Sequence, residues 1–190
     1  MRSLWRGLGV IAVVLLFATA AGAALPHFAF ALLAPHSARR SAAALDKPLE
    51  RAIDGSLDRA TPDSVESAMD VALSASDRLL HFGLQHTTSL SFAAAEREGN
   101  CIEYAHLFAR IFDKAAAHAK LDARAYVVHS AKAEVFGHKV PMPGWSDHDW
   151  VLIQEGTGDD ARRWYVDPTL HDAGLGWDIS ANVRGAVKVP

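Results

Sequence analysis

A chain of 190 residues is about the size of one domain, and half of its residues are hydrophobic against 22% charged, a balance that excludes a disordered or collagen-like chain. The net charge of −3, without any basic run interleaved with aromatics, argues against nucleic acid as a partner. Cys101 is the only cysteine, which excludes an intrachain disulfide framework and a cysteine-built zinc cage.

At the start, Arg2 and Arg6 precede an uncharged apolar run, Gly7 to Ala24, and a second apolar patch, Phe28 to Ala34, follows Pro26 and His27. A positive start before an apolar run is an export signal, and Ala21-Gly22-Ala23 offers the small-x-small pattern of a cleavage site. Leu8 to His27 also approaches the roughly 20 apolar residues that a membrane span needs. Residues 1–36 therefore read either as a cleaved signal peptide or as an uncleaved anchor, with a membrane tether through residues 7–27 in the second case. Both readings place the body outside the cytoplasm, in a periplasm or cell envelope. Residues 37–60 are Ala-rich, charged and dotted with proline, and read as a linker with a short helix at most. The compact domain is expected over residues 61–190, without internal repeats.

Thr61-Pro62-Asp63-Ser64 is a helix start, and Val65, Met69, Leu73 and Leu80 follow at helical spacing, predicting a helix to about Phe82. Gly83 to Ser91 reads as a loop. After Gly99-Asn100, the apolar positions Ile102, Ala105, Leu107, Phe108, Ile111 and Phe112 predict a buried helix through Ala119, with Cys101 in its first turn. Beyond Asp122 the period changes. Ala123 to His129, Asp149 to Gln154 and Arg163 to Val166 are rich in β-branched and aromatic residues and predict strands. Ser130 to Asp147, containing Gly137, Pro141, Pro143 and Gly144, is either a functional loop or a hairpin the pattern does not resolve. Helices first and strands after them argue for an α+β fold, with N-terminal helices packed on a small antiparallel sheet.

A lone cysteine on an apolar helix is ordinarily a small core residue. At a helix N-terminus, however, unpaired N–H groups and the helix dipole favour a thiolate, and the N–H of Cys101 would point to where an oxyanion forms. A thiolate attacking an amide needs a partner that holds it ionised and later protonates the leaving amine, and histidine suits that role near neutral pH. His148 stands at the entry of a predicted strand, where a rigid scaffold can aim it. His138 sits in a Gly/Pro loop, and His81, His86, His106 and His118 read as surface residues. The imidazole needs an orienting acceptor, and Asp167 emerges at the end of the strand Trp164-Tyr165-Val166, although Asp-Pro is also a common turn dipeptide.

In chain order, Gly99-Asn100-Cys101-Ile102-Glu103-Tyr104-Ala105, His148-Asp149-Trp150-Val151 and Trp164-Tyr165-Val166-Asp167-Pro168-Thr169 resemble the three signature blocks of the transglutaminase-like superfamily. The resemblance runs from about Phe92 to Thr169, less than half of the chain. It implies a papain-like core in which Cys101 is the nucleophile, His148 its base and acid, and Asp167 the orienter. The implied activity is that of a cysteine enzyme acting on amide bonds of a protein or peptide substrate through an acyl-thioester, of peptidase, deamidase or transglutaminase type. It calls for no cofactor and no metal. Asp149 departs from the pattern, because a small residue commonly stands there, and its carboxylate is positioned in sequence to perturb His148. For the oxyanion the family uses an upstream glutamine or tryptophan; Gln85 is the only glutamine before Cys101, and Trp145 precedes His148 in the long loop. Two other readings are a non-catalytic domain that binds a peptide or envelope partner, and a metal site drawn from Cys101, His148, Asp147 or His171. The latter lacks the compact ligand spacings typical of zinc.

Overall fold

The computed structural model describes residues 30–83, 87, 89–139, 147–158 and 160–190. The export run before residue 30, together with Gln85, His86 and Trp145, lies outside the described residues. Among those described, no helix is long and apolar enough to cross a membrane.

The chain opens with strand β1 (Phe30–Arg39), then helices α1 (Lys47–Ala60) and α2 (Val65–Leu79). Strand β2 (His81–Phe82), helix α3 (Leu90–Glu96) and strand β3 (Glu98–Gly99) lead into helix α4 (Cys101–His118). Strands β4 (Ala123–Val135), β5 (His138–Lys139), β6 (His148–Glu155) and β7 (Arg162–Val166) follow. Helix α5 (Pro168–Asp172) and strands β8 (Val183–Arg184) and β9 (Val187–Lys188) complete the order. The fold is mixed α+β. Its main sheet runs β7-β6-β4-β1-β8, with β5 paired to β4 and β9 to β1. The pairings β7/β6, β6/β4 and β4/β1 are antiparallel, but β8 and β9 join β1 in parallel. The sheet is therefore mixed, which corrects the expectation of an antiparallel one.

Two segments differ more sharply from the sequence reading. Residues 30–39, divided there between the export segment and the linker, form the strand between β4 and β8. Leu32 is fully buried among Val128, Trp150 and Leu152, so the apolar patch after His27 is at least in part a buried strand. A short buried strand and the tail of an apolar export run have the same composition, and periodicity does not separate them. Residues 47–60 form a 14-residue helix in place of a linker. Asp46 caps it by accepting the Leu49 N–H at 2.9 Å, and Pro48 occupies its first turn. Leu49, Ile53 and Leu57, spaced by four, bury its apolar stripe in the main core. The compact domain thus extends upstream of Thr61, at least to Phe30.

α2 begins at Ser64 with a reciprocal cap to Ser67, close to the predicted start. α4 lies against α2 and the sheet and buries Tyr104, Ala105, Leu107, Phe108, Ile111 and Phe112. The main core fills the space between the helices and one sheet face, where Val127, Val151, Ile153 and Val166 point. A smaller core with Leu32, Tyr126, Val128, Trp150 and Leu152 covers the other face. With both faces covered, β6 reads as a continuous apolar run. Part of the long Ser130–Asp147 segment is the unresolved hairpin: β4 continues to Val135 and turns through Phe136-Gly137, both at positive φ, into β5. A two-residue hairpin loop of this hand usually carries asparagine or glycine first, so phenylalanine hides it from a sequence reading.

Candidate active site

Cys101 is the first residue of α4 and half-buried. Asn100 caps the helix, its side-chain oxygen accepting the Ile102 N–H at 2.9 Å, while Glu103 reaches back to accept the Asn100 N–H at 2.9 Å. Gly99 is needed here for space: a Cβ on it would lie 2.9 Å from Glu103 Cβ and 3.3 Å from Leu80 Cδ1. Space, and not a left-handed backbone, is what requires glycine here.

His148 begins β6, opposite Ser130 of β4. Its Nε2 lies 2.6 Å from Asp167 Oδ2, and its side chain is 16% exposed. The Cys101 sulfur is also near enough to act on the ring, and raises its pKa. Because Asp167 occupies Nε2, Nδ1 is the nitrogen it leaves open. Phe30 supports the ring edge-to-face at 5.8 Å, a contribution from the stretch read as export segment. Beneath His148, a buried knot holds β1, β4 and β6 together: Ser130 Oγ lies 2.8 Å from His36 Nδ1 and accepts the Trp150 Nε1–H at 2.8 Å.

Asp167 has no exposed surface. One oxygen faces His148, and the other accepts the N–H groups of Thr169 at 3.0 Å and Leu170 at 3.1 Å. It is the N-cap of α5, with Pro168 in the first turn, so the Asp-Pro dipeptide marks a helix start. Burial works against a charged His148 and is the largest single influence on it. The Asp167 carboxylate, the hydrogen bond to it and the Cys101 sulfur together outweigh burial, and hold the imidazole pKa well above its ordinary value near 6.5.

The structure thus brings Cys101, His148 and Asp167 together. It places the other candidates elsewhere. Alternation along β6 turns Asp149 to the opposite face, where Oδ1 lies 2.6 Å from His129 Nδ1 and Oδ2 lies 3.7 Å from Arg39. The expected perturbation of His148 by Asp149 does not arise, since Asp149 is not among the groups acting on that ring. Asp147 approaches His129 Nε2 at 4.0 Å, and His171 pairs with Asp77 at 2.8 Å. The set proposed for a metal is therefore dispersed. Among the described residues, no three histidine, cysteine or acidic side chains are grouped to hold an ion.

On another side of the first turn of α4, a cavity of about 370 Å³ is lined by Arg39, Arg40, Leu90, Ile102 and His106, among others. Sequence reasoning passed over Glu103, which lines that cavity as well as capping the helix. The Asn-x-x-Glu spacing around Cys101 resembles a capping box and was open to that reading.

The arrangement sets a thiol at a helix start, an imidazole that favours its charged form beside it and a buried carboxylate behind the imidazole. Compared with family models, curated proteins and solved structures, the chain matches none.

Proposed function

We propose that the chain is an exported cysteine enzyme of transglutaminase-like, papain-like type that acts on amide bonds of proteins or peptides. The observation that carries the reading is one imidazole with a buried carboxylate 2.6 Å from one nitrogen and the only cysteine near enough to act on the same ring. In this reading the Cys101 sulfur attacks the amide carbon and the carbonyl electrons move onto oxygen. As the tetrahedral species collapses, the C–N bond breaks and His148 gives its proton to the departing nitrogen. An acyl-thioester remains. Water or an amine then attacks it while His148 takes the incoming proton, and the C–S bond breaks to return the thiolate. Asp167 holds the ring and stabilises its charged form. Export rests on Arg2 and Arg6 ahead of the Gly7 to Ala24 run.

The test is mass spectrometry of a peptide library incubated with the full-length chain, with and without an added primary amine. Chain cleavage, glutamine deamidation or amine incorporation would each identify the acceptor and the bond. Products that persist with Cys101→Ala would defeat the reading. A phosphatase fused after Pro190 should be active if the body is exported and silent if it is not.

A further inference from the structure

Glu103 is only 1% exposed, which is unusual for a carboxylate whose visible task is to cap a helix. The cap uses one oxygen, and a solvent-facing glutamate would serve it equally well. The second oxygen, Oε1, accepts the backbone N–H of Thr87 at 3.0 Å, sixteen residues upstream. A buried carboxylate is costly unless charge-assisted hydrogen bonds compensate it, and these two bonds tie the Thr87 segment to the main chain at Asn100. Two further ties converge on the same place. The Gly83 N–H donates to Gly99 O at 2.9 Å, extending the β2–β3 pairing, and Gly99 lacks the Cβ that would collide with Glu103. The main chain is thus fixed on both sides of Cys101, at Gly99-Asn100 before it and Glu103 after it.

The N–H of Cys101 stands in the middle of this brace. The capping bonds engage the N–H groups of Asn100, Ile102 and Glu103 and leave that of Cys101 outside them. Attack by the sulfur creates an oxyanion beside that N–H, and an oxyanion donor works only if its direction is fixed beforehand. We infer that Glu103 is a positioning residue for the oxyanion step: it locks the Asn100–Cys101 main chain so that the Cys101 N–H meets the developing charge. This rests on the acyl-transfer reading above.

The test compares two reactions at the same sulfur in the full-length chain. Acylation by 4-nitrophenyl acetate passes through an oxyanion, whereas alkylation by iodoacetamide displaces iodide without one. Glu103→Gln keeps the shape but turns an N–H against either Asn100 or Thr87. Its acylation rate should fall on the order of ten-fold while alkylation stays within about two-fold of wild type. Gly99→Ala, which presses on Glu103 Cβ, should split the two rates in the same direction. Parallel loss of both rates, no loss of either, or failure of both variants to fold by circular dichroism would reduce Glu103 to a structural cap and overturn the inference. Failure of the parent reading looks different: the wild type itself would show no acylation, or none lost in Cys101→Ala, and the positioning role would fall with it.

Discussion

β6 contributes two adjacent residues, His148 and Asp149, to histidine–aspartate pairs on its opposite sides. His148 meets Asp167 and His129 meets Asp149, each at 2.6 Å and each with a carboxylate almost wholly buried. By that distance alone the two are equivalent. They differ in what else each group touches. His148 is 16% exposed and has the Cys101 sulfur acting on its ring, whereas His129 is 36% exposed and turns its second nitrogen toward Asp147 at 4.0 Å. Asp149 also has Arg39 nearby, while Asp167 spends its second oxygen on a helix start. A short His–Asp contact alone therefore does not mark the site, and the proposed chemistry depends on the sulfur that acts on His148.

The largest effects should separate the pairs outright. Cys101→Ala or His148→Ala should lower turnover at least about 10³-fold, whereas His129→Ala should stay within a few-fold of wild type. Steady-state kinetics on any peptide from the library screen would decide it; equal losses in His129→Ala and His148→Ala would erase the distinction. Next in size are the carboxylates. Asp167→Asn keeps an acceptor for the Thr169 and Leu170 N–H groups but removes the charge facing His148, and should cost roughly 10²-fold or more in kcat with little change in melting temperature. Asp149→Asn is the matched control and should leave kcat near wild type.

Smaller effects should appear in stability. Asp167→Ala also removes the α5 cap, so it should unfold about 1 kcal/mol more easily than Asp167→Asn in urea titrations. The pH dependence has a definite sign. Since the folded state raises the His148 pKa, its protonation contributes stability in full below the ordinary value near 6.5, and that contribution fades as pH rises from there through the raised value. The melting-temperature gap between wild type and His148→Gln should therefore narrow with rising pH above about 6.5. A gap that widens over that range would contradict the ion-pair account.

The sequence made parts of this legible and hid others, for identifiable reasons. α2 and α4 were readable because Val65, Met69 and Leu73, and Leu107, Phe108, Ile111 and Phe112, keep helical period over several turns. β6 and β7 were readable as apolar runs with β-branched and aromatic residues. β1 was hidden because its apolar residues continue an export-like run. α1 was hidden because Leu49, Ile53 and Leu57 are diluted by charge and alanine until a core is present to bury them. In the site, local signals placed Cys101 at a helix start and His148 at a strand entry. Which carboxylate serves His148 depends on β6–β7 register and strand alternation; the strand-end position of Asp167 pointed to it and the resemblance agreed, while Asp147 and Asp149 flank His148 in sequence alone. The Glu103–Thr87 tie spans two segments and leaves no local trace.

The central claim is that Cys101 and His148 form one reactive pair held by Asp167. It is tested most directly by the rate of iodoacetamide alkylation in the folded full-length chain at neutral pH, where the single cysteine makes the labelled site unambiguous. The account predicts rapid labelling of the wild type, clear slowing in Asp167→Asn and no slowing in Asp149→Asn. Labelling that proceeds only in denaturant, or that responds to Asp149 and ignores Asp167, would contradict it.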